Sequence, residues 1–248
     1  MKSNRCSLTF IFFRLFLTSY IISMNYLVGD SRVRGFREIV PRLEFPDVWS
    51  RPGGHIRDML EWVDDLTILH HGEENTKAHF YFAIGICDVT ERLRGHNYDE
   101  VIFNNQLYQD RKPSIFREIN DLILATRNQY AMPIFCTIPP LSLQKWNHHR
   151  LATNKTSHLV HINAYSQMQI DLENALTELN NHLTNINIGN GFATPMMHRD
   201  IEHNRGKGKK VVNYKTLIDG CHFSNSLLLK CKKTLMVAYT KNRNRQRY

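Results

Sequence analysis

A serine near one end of the chain and an aspartate and a histidine near the other are the residues whose types and spacing could do chemistry. Ser31 follows the apolar stretch at residues 25–29, and Asp219 and His222 stand three residues apart in the segment LIDGCHFSNS. A serine hydroxyl becomes a nucleophile when a histidine takes its proton and a carboxylate orients that histidine. If the two ends of the chain meet, these residues predict acyl-transfer chemistry.

Each of these residues also has a simpler interpretation. A serine directly after a buried strand is typical of a turn, and so is the pair Asp219-Gly220. His222 lies near the predicted start of the last helix, where backbone groups could satisfy its ring. The combination favours the catalytic interpretation, because one compact loop would present both Asp219 and His222 to the rest of the molecule.

Apolar runs and helical spacing predict strands that alternate with helices. We predict strands at residues 25–29, 46–54, 78–88, 132–140 and 186–194, and helices at 33–43, 54–72, 114–129, a long stretch after residue 157, and 224–239. This alternation predicts an α/β fold with three α/β/α layers and a five-stranded parallel, flavodoxin-like sheet. In such sheets functional groups gather beyond the carboxyl ends of the strands. The polar segment 142–157 follows a strand end too, and is either a lid or a solvated loop.

Four short motifs, in this order along the chain, resemble the SGNH (GDSL-type) hydrolase superfamily. They are Gly29-Asp30-Ser31, a glycine turn after the second predicted strand, Gly85-x-x-Asp88 and Asp219-x-x-His222. The resemblance covers residues 24–240. It implies that Ser31 is the nucleophile, that His222 is first the base and then the acid, and that Asp219 orients the histidine.

The resemblance also implies an oxyanion hole. Its donors would be the amide of Ser31, the amide of Gly53 (or of Gly54, if the match slips by one residue) and the side chain at position 87. Asp30, Gly85 and Asp88 would support the site. Where the family pattern has Gly-x-Asn-Asp, this chain has Cys87 in place of the asparagine. A thiol donates only weakly, and loss of one oxyanion donor typically costs ~10²–10³ in turnover.

Two functional hypotheses follow. The first is a serine esterase or acylhydrolase with a weakened oxyanion hole, acting on a small ester or acetylated substrate without a metal or organic cofactor. The second is a catalytically impaired binding domain of the same fold. Similar domains occur in proteins encoded by mobile elements of animals, where association with nucleic acid would suit a basic surface. The sequence leaves open whether the protein is an enzyme, and favours the first hypothesis.

The charge balance bears on the second hypothesis. The chain has 32 Lys and Arg against 23 Asp and Glu, a net charge of +9, which favours anionic partners. The segment GKGKK at 206–210 and the basic tail at 241–248 predict weak contact with nucleic acid. Arg32, Arg34 and Arg37 flank the serine, where they either attract an acidic substrate or form a solvated helix face.

The first 23 residues are set apart from the predicted domain at 24–240. Lys2 and Arg5 precede the apolar run Leu8 to Ile22, as in a secretory signal, and a non-native leader upstream of Met24 explains it equally well. A short membrane anchor is a third alternative that fits less well, because the run is short and charged for a span. A secreted location follows from the first alternative and a cytoplasmic one from the second. We expect no stable membrane span and a monomer. The five cysteines form no CxxC pair, which argues against a zinc site or a disulfide framework.

Overall fold

The computed structural model describes residues 25–39, 47–66, 78–204 and 210–245. The leader predicted at 1–23 and the last three residues of the predicted tail lie outside the described residues, as does most of the GKGKK segment. None of the described helices is long and apolar enough to cross a membrane.

The main sheet is parallel and places the first strand near its centre. The strands, in chain order, are β1 (Tyr26–Gly29), β2 (Asp47–Ser50), β3 (Ala78–Ala83), β4 (Glu91–Arg94), β5 (Asp99–Ile102), β6 (Ala131–Phe135), β7 (Glu202–Asn204) and β8 (Lys210–Val212). The main sheet has the order β2-β1-β3-β6. β4 and β5 form an antiparallel hairpin, and β7 and β8 form another.

Helices cover both faces of this sheet. They are α1 (Phe36–Ile39), α2 (Ile56–Asp65), α3 (Ile86–Val89), α4 (Asn105–Asn128), α5 (Leu143–Ala152), α6 (Tyr165–Gly189) and α7 (Asn225–Arg245). Val28 and Phe80 share one core with α2, α4 and α6, whereas Leu27 and Tyr81 share a second core with α1 and α7. This alternation is the period of two that a strand imposes on its side chains. The predicted three-layer α/β/α architecture is therefore confirmed.

The predicted fifth strand at 186–194 is wrong, because α6 continues through Gly189. A fifth strand would have paired with the backbone groups on the side of β6 that faces away from β3. Asparagines of α6 form hydrogen bonds with these groups instead. Asn187 accepts from the Phe135 amide at 3.0 Å and donates to the Phe135 carbonyl at 2.7 Å. Asn180, about two helical turns earlier, does the same for Ile138 at 2.6 and 3.0 Å. Among the described residues, the parallel sheet therefore has four strands.

Other elements also differ from the predictions. The strand predicted at 78–88 ends at Ala83, the one predicted at 132–140 ends at Phe135, and the two antiparallel hairpins were not predicted. α4 begins at Asn105 and runs through Pro113, since the Asn104 side chain caps it by accepting from the Leu107 amide at 3.1 Å. Most of the polar segment 142–157 is the helix α5. α7 continues to Arg245, so residues 241–245 of the predicted tail are helical.

Candidate active site

The turns that follow β1, β2 and β3 leave the sheet at the carboxyl ends of these strands, and they carry Ser31, Gly53 and Cys87. In the parallel register Gly29 lies opposite both Ser50 and Ala83, so β1, β2 and β3 end at the same level. Gly29 has to be a glycine here, because a Cβ would lie 2.5 Å from the Ala83 carbonyl oxygen. The turns that begin at residues 30, 51 and 84 therefore start side by side.

The structure brings Ser31, His222 and Asp219 together. The Ser31 hydroxyl lies 3.0 Å from Nε2 of His222, although the two residues are 191 positions apart in the chain. Nδ1 of the same ring lies 2.6 Å from a carboxylate oxygen of Asp219. Since a carboxylate only accepts, Nδ1 carries the proton, and Nε2 is left to accept the hydroxyl proton of the serine. The arrangement can move a proton off Ser31.

Hydrogen bonds keep Asp219 ionised. Burial alone would raise the pKa of this carboxyl, but donation from the His222 ring and from the His222 and Cys221 amides outweighs burial and lowers the pKa well below its usual value. The two amides donate to Asp219 Oδ1 at 2.8 and 2.9 Å. A carboxylate fixed in this way orients the imidazole and stabilises its protonated form.

Gly220 allows the loop between Asp219 and His222 to pack tightly. Its φ is +95°, and a Cβ would lie 2.4 Å from the backbone nitrogen of Trp146 in α5. The Gly220 carbonyl accepts from the Ser142 amide at 2.7 Å, directly before that helix. The loop is therefore held against α5 at a point where no larger residue fits.

Arg32, directly after the serine, is buried, contrary to either interpretation offered for it from the sequence. Its guanidinium donates to both carboxylate oxygens of Asp30 at 3.1 and 2.8 Å and to the Pro139 carbonyl at 2.8 Å. Burial would lower the pKa of Arg32, but Asp30 raises it above its usual value, so the guanidinium stays charged. Arg34 and Arg37 are exposed, as the solvated-face interpretation expects. The Asp30–Arg32 pair ties the serine turn to the loop after β6.

Two backbone amides named as candidate oxyanion donors are unpaired in the described residues. Within the described part of the chain, neither the Ser31 amide nor the Gly53 amide has a hydrogen-bond acceptor. Gly54, the alternative to Gly53, uses its amide inside the turn, where it donates to the Arg51 carbonyl at 3.0 Å. Gly53 is exposed and adopts a φ of +68°. The free amide therefore favours Gly53.

Cys87, the third candidate donor, is partly buried in α3. Burial, reinforced by the carboxylates of Asp30 and Asp88, raises the pKa of its thiol well above the usual value. The side chain is therefore a neutral thiol at physiological pH. A neutral thiol can offer a weak S–H donor and does not provide a thiolate nucleophile.

Asp88 and Gly85 shape the turns around this thiol. Asp88 is buried and accepts from the Ile56 amide at 3.2 Å and from Nδ1 of His55 at 3.2 Å. It thereby joins the turn after β3 to the turn that contains Gly53. Gly85 begins α3 with a φ of +118°, and a Cβ there would lie 2.7 Å from the Ile138 side chain.

Trp146 contacts the site and was missed by the sequence analysis. Its ring meets the His222 ring edge-on at 5.6 Å. On the same helix, one turn later, the Arg150 guanidinium lies 5.9 Å from the Trp146 ring centre. A tryptophan in a polar segment gave no signal, because the contact depends on how α5 packs against the loop around Gly220. Among the described residues, no group of three or more His, Cys, Asp or Glu side chains is placed to hold a metal ion.

Comparisons with known proteins bear on the fold. No protein-family model matches the chain, and no curated protein sequence does. A Bacteroides fragilis protein assigned as an acylhydrolase matches with a TM-score of 0.57 at 12% identity, over 90% of this chain and 87% of that one. A member of the lipolytic G-D-S-L family from Veillonella parvula matches with a TM-score of 0.50 at 10% identity, over 87% and 97% of the two chains.

A third solved structure is the OSK domain of Drosophila Oskar, which matches with a TM-score of 0.51 at 13% identity over 86% of each chain. At these identities the likeness concerns the fold and not the chemistry. The chain has the SGNH hydrolase-like fold, so the resemblance predicted from the four sequence motifs is confirmed for the fold.

Proposed function

We propose that the protein is a serine esterase or acylhydrolase of low turnover that acts on a small ester or acetylated substrate. The observation that carries this proposal is the pair of contacts from Ser31 to His222 at 3.0 Å and from His222 to Asp219 at 2.6 Å. Residues from opposite ends of the chain meet in the order and at the distances that nucleophilic catalysis requires.

The proposed reaction has two halves. Ser31 Oγ forms a bond to the ester carbonyl carbon while its proton passes to Nε2 of His222. The bond from that carbon to the alcohol oxygen then breaks, and His222 gives the proton to the leaving alcohol. In the second half water loses a proton to His222 and attacks the acyl carbon, and the acid leaves as Ser31 regains its proton. Asp219 stabilises the imidazolium in both halves.

The oxyanion hole limits the rate. The amides of Ser31 and Gly53 can hold the negative oxygen, whereas Cys87 offers only a weak donor in the third place. A missing strong donor reduces turnover by ~10²–10³. We therefore expect measurable but slow hydrolysis.

Hydrolysis of p-nitrophenyl acetate by the full-length protein, with and without Ser31→Ala, tests the proposal. The variant should lose turnover by at least about 10³-fold, since no acyl-enzyme can form. A fluorophosphonate, which labels activated serines, should add one mass increment to the wild type and none to Ser31→Ala. Ser114→Ala, an exposed serine of α4, is the matched control and should behave as wild type. Equal hydrolysis and equal labelling of wild type and Ser31→Ala would refute the proposal.

A specific observation favours a second candidate function, a domain that binds nucleic acid. The 21 residues of α7 contain six cations and no carboxylate, and five of these cations are exposed: Lys230, Lys233, Lys241, Arg243 and Arg245. A helix face of this kind suits a phosphate backbone and would give binding without sequence preference.

Retention of a single-stranded RNA at increasing salt tests this second function. Affinity should fall with a log–log slope of about −0.7 per neutralised phosphate. The variant Lys230→Gln/Lys233→Gln should reduce that slope, whereas Arg57→Gln/Lys112→Gln, with the same charge change on α2 and α4, should not. Salt-independent retention, or equal effects of the two variants, would contradict it.

A further inference from the structure

A cavity of about 450 Å³ opens between the tip of the β4–β5 hairpin and the segment after α5. Its walls are the turn at 95–98 and residues 154–157, with Arg94 and Asp99 at the ends of the turn. Hydrogen bonds hold the walls together: the Ser157 amide donates to the Asn97 carbonyl at 3.0 Å, and the Asp99 amide donates to Thr156 Oγ1 at 3.1 Å. The volume lies in the range of small-molecule sites.

Positive charge is in excess around this cavity. Arg92 donates to both carboxylate oxygens of Asp99 at 2.7 and 2.6 Å, and Arg150 donates to the same carboxylate. The hydrogen bond from Arg92 lowers the pKa of Asp99 despite the opposing effect of burial, and Arg150 and Arg94 lie close enough to lower it further. Lys155 lies in the opposite wall. Three guanidiniums therefore surround the Asp99 carboxylate, and one ammonium lies across the cavity from them.

The carboxylate of Glu100, the residue after Asp99 in β5, does not compensate for this excess. Its side chain is fully buried and is already bonded, because it accepts from Nδ1 of His161 at 3.0 Å. The planar guanidinium group matches the oxygens of a carboxylate or a phosphate. A bound oxyanion would reduce the electrostatic repulsion among Arg92, Arg94 and Arg150. The excess of positive charge therefore favours an anion as the ligand of this cavity.

The helix α5 connects this cavity to the candidate active site. The Trp146 ring is 5.6 Å from the His222 ring, and the Arg150 guanidinium is 5.9 Å from the centre of the Trp146 ring. Arg150 in turn binds Asp99 at the cavity. The partly exposed indole therefore lies between the imidazole and the arginine cluster.

We propose that this cavity binds the anionic group, a phosphate or a carboxylate, of the alcohol portion of the substrate. The inference rests on the proposed esterase function. His222 has to protonate the leaving alcohol oxygen, so the alcohol lies on the His222 side of the ester, where Trp146 and the cavity also lie. The indole packs under the atoms that join the ester to the anion. The substrate class is an ester of an anionic alcohol.

Two matched acetate esters test the inference with the full-length protein. 6-Acetoxyhexyl phosphate carries an anion on its alcohol, six carbons from the ester oxygen and so able to pass the Trp146 ring, and hexyl acetate is a neutral counterpart. We expect kcat/KM to be at least about tenfold higher for the anionic ester. The variant Arg94→Gln/Lys155→Gln, which changes two exposed side chains, should abolish this preference through KM. The variant Arg57→Gln/Lys112→Gln should keep it. Equal kcat/KM for the two esters, or a preference that survives the first variant, overturns the inference.

Binding of inorganic phosphate separates this inference from the esterase proposal. If neither ester is hydrolysed, the esterase function fails, and calorimetric titration with phosphate judges the cavity alone. Heat that disappears in Arg94→Gln/Lys155→Gln supports an anion site, and no heat overturns it. Retention on phosphatidylcholine vesicles that contain phosphatidic acid, dependent on the same two residues, would assign the anion to a lipid headgroup rather than to a soluble alcohol. Loss of RNA retention in that variant would assign the cavity to a polyanion and overturn the inference.

Discussion

At the scale of single residues, the proposed function makes the side chain at position 87 decisive for how well a developing negative charge is stabilised. Cys87 follows β3, and burial, reinforced by the nearby carboxylates of Asp30 and Asp88, raises the pKa of its thiol. Donors that are fixed in place and aimed at the oxyanion contribute most to catalysis in such sites. In the proposed reaction, the weak S–H donor leaves the amides of Ser31 and Gly53 to hold the charge.

Cys87→Asn should raise turnover of an activated ester by about 10²-fold, because a carboxamide supplies the strong donor that the thiol lacks. Initial rates with p-nitrophenyl acetate measure the change. Cys87→Ala is the control, since it removes the thiol without adding a donor, and it should show no gain. A gain in both variants would point to relief of crowding and would contradict the role assigned to position 87.

Ser31, Asp219 and His222 could be predicted from the sequence because their motifs are short and local. Trp146 and the buried Arg32 could not, because their roles depend on tertiary packing. A basic residue after a serine looks the same in the sequence whether it faces solvent or pairs with Asp30. Only the fold places Pro139 where Arg32 can donate to it.

At the scale of elements, a recurring contact is an asparagine side chain that pairs with both backbone groups of one residue. Asn180 and Asn187 bind Ile138 and Phe135, and Asn147 of α5 binds Val101 of the hairpin at 2.8 and 2.7 Å. Asn242 of α7 binds Ala193 at 2.7 and 3.1 Å. All four asparagines are buried: Asn147, Asn180, Asn187 and Asn242. Each one fixes a helix to a strand or loop.

Asn187→Ala should lower the free energy of unfolding by about 2–4 kcal/mol, because the amide and carbonyl of Phe135 lose their partner while buried. Chemical denaturation monitored by circular dichroism measures the change. Asn185→Ala, at an exposed position of the same helix, should stay within about 0.5 kcal/mol of wild type. Equal stability of the two variants would show that Phe135 finds other partners.

These asparagines also explain why the fifth strand was predicted wrongly. The segment around Asn187 is rich in isoleucine and glycine, which is typical of a strand and a turn. In the structure the buried face of α6 contains Asn180 and Asn187 as well as Leu176 and Leu183. Polar residues therefore occupy positions where the helical pattern predicts apolar ones. The strands that correspond to β1, β3 and β6 were predicted because their apolar runs are buried in the sheet, whereas β2 was predicted from the Pro-Gly-Gly turn that follows it.

At the scale of the whole molecule, one buried histidine affects stability across the acidic range. His79 of β3 is 2% exposed and lies between the rings of Tyr81 and Phe192, at 6.1 and 5.7 Å. Burial lowers its pKa from 6.5 to about 4. Between these pH values the unfolded chain binds a proton that the folded protein does not bind. The free energy of unfolding therefore falls as the pH falls through this window.

Wild type should lose up to about 3 kcal/mol of unfolding free energy through His79 as the pH falls from 6.5 to 4, at about 1.4 kcal/mol per pH unit. His79→Phe should not show this loss. Thermal unfolding at several pH values measures it: the variant should gain on wild type as the pH falls and change little relative to it above pH 7. The control His149→Gln changes an exposed histidine and should follow the wild-type profile. Parallel pH profiles for wild type and His79→Phe would contradict the assignment.

The asparagine contacts at Phe135 and Ile138 have a consequence for how copies of the protein behave toward one another. The outer side of β6 is a sheet edge, and unpaired backbone groups on such an edge offer a template to which a strand of another molecule can add. Here two side chains of the same chain already occupy the amide and carbonyl of Phe135 and of Ile138. These side chains therefore block the addition of a strand from another molecule at this edge. Amyloid-like growth from this side would first have to displace α6.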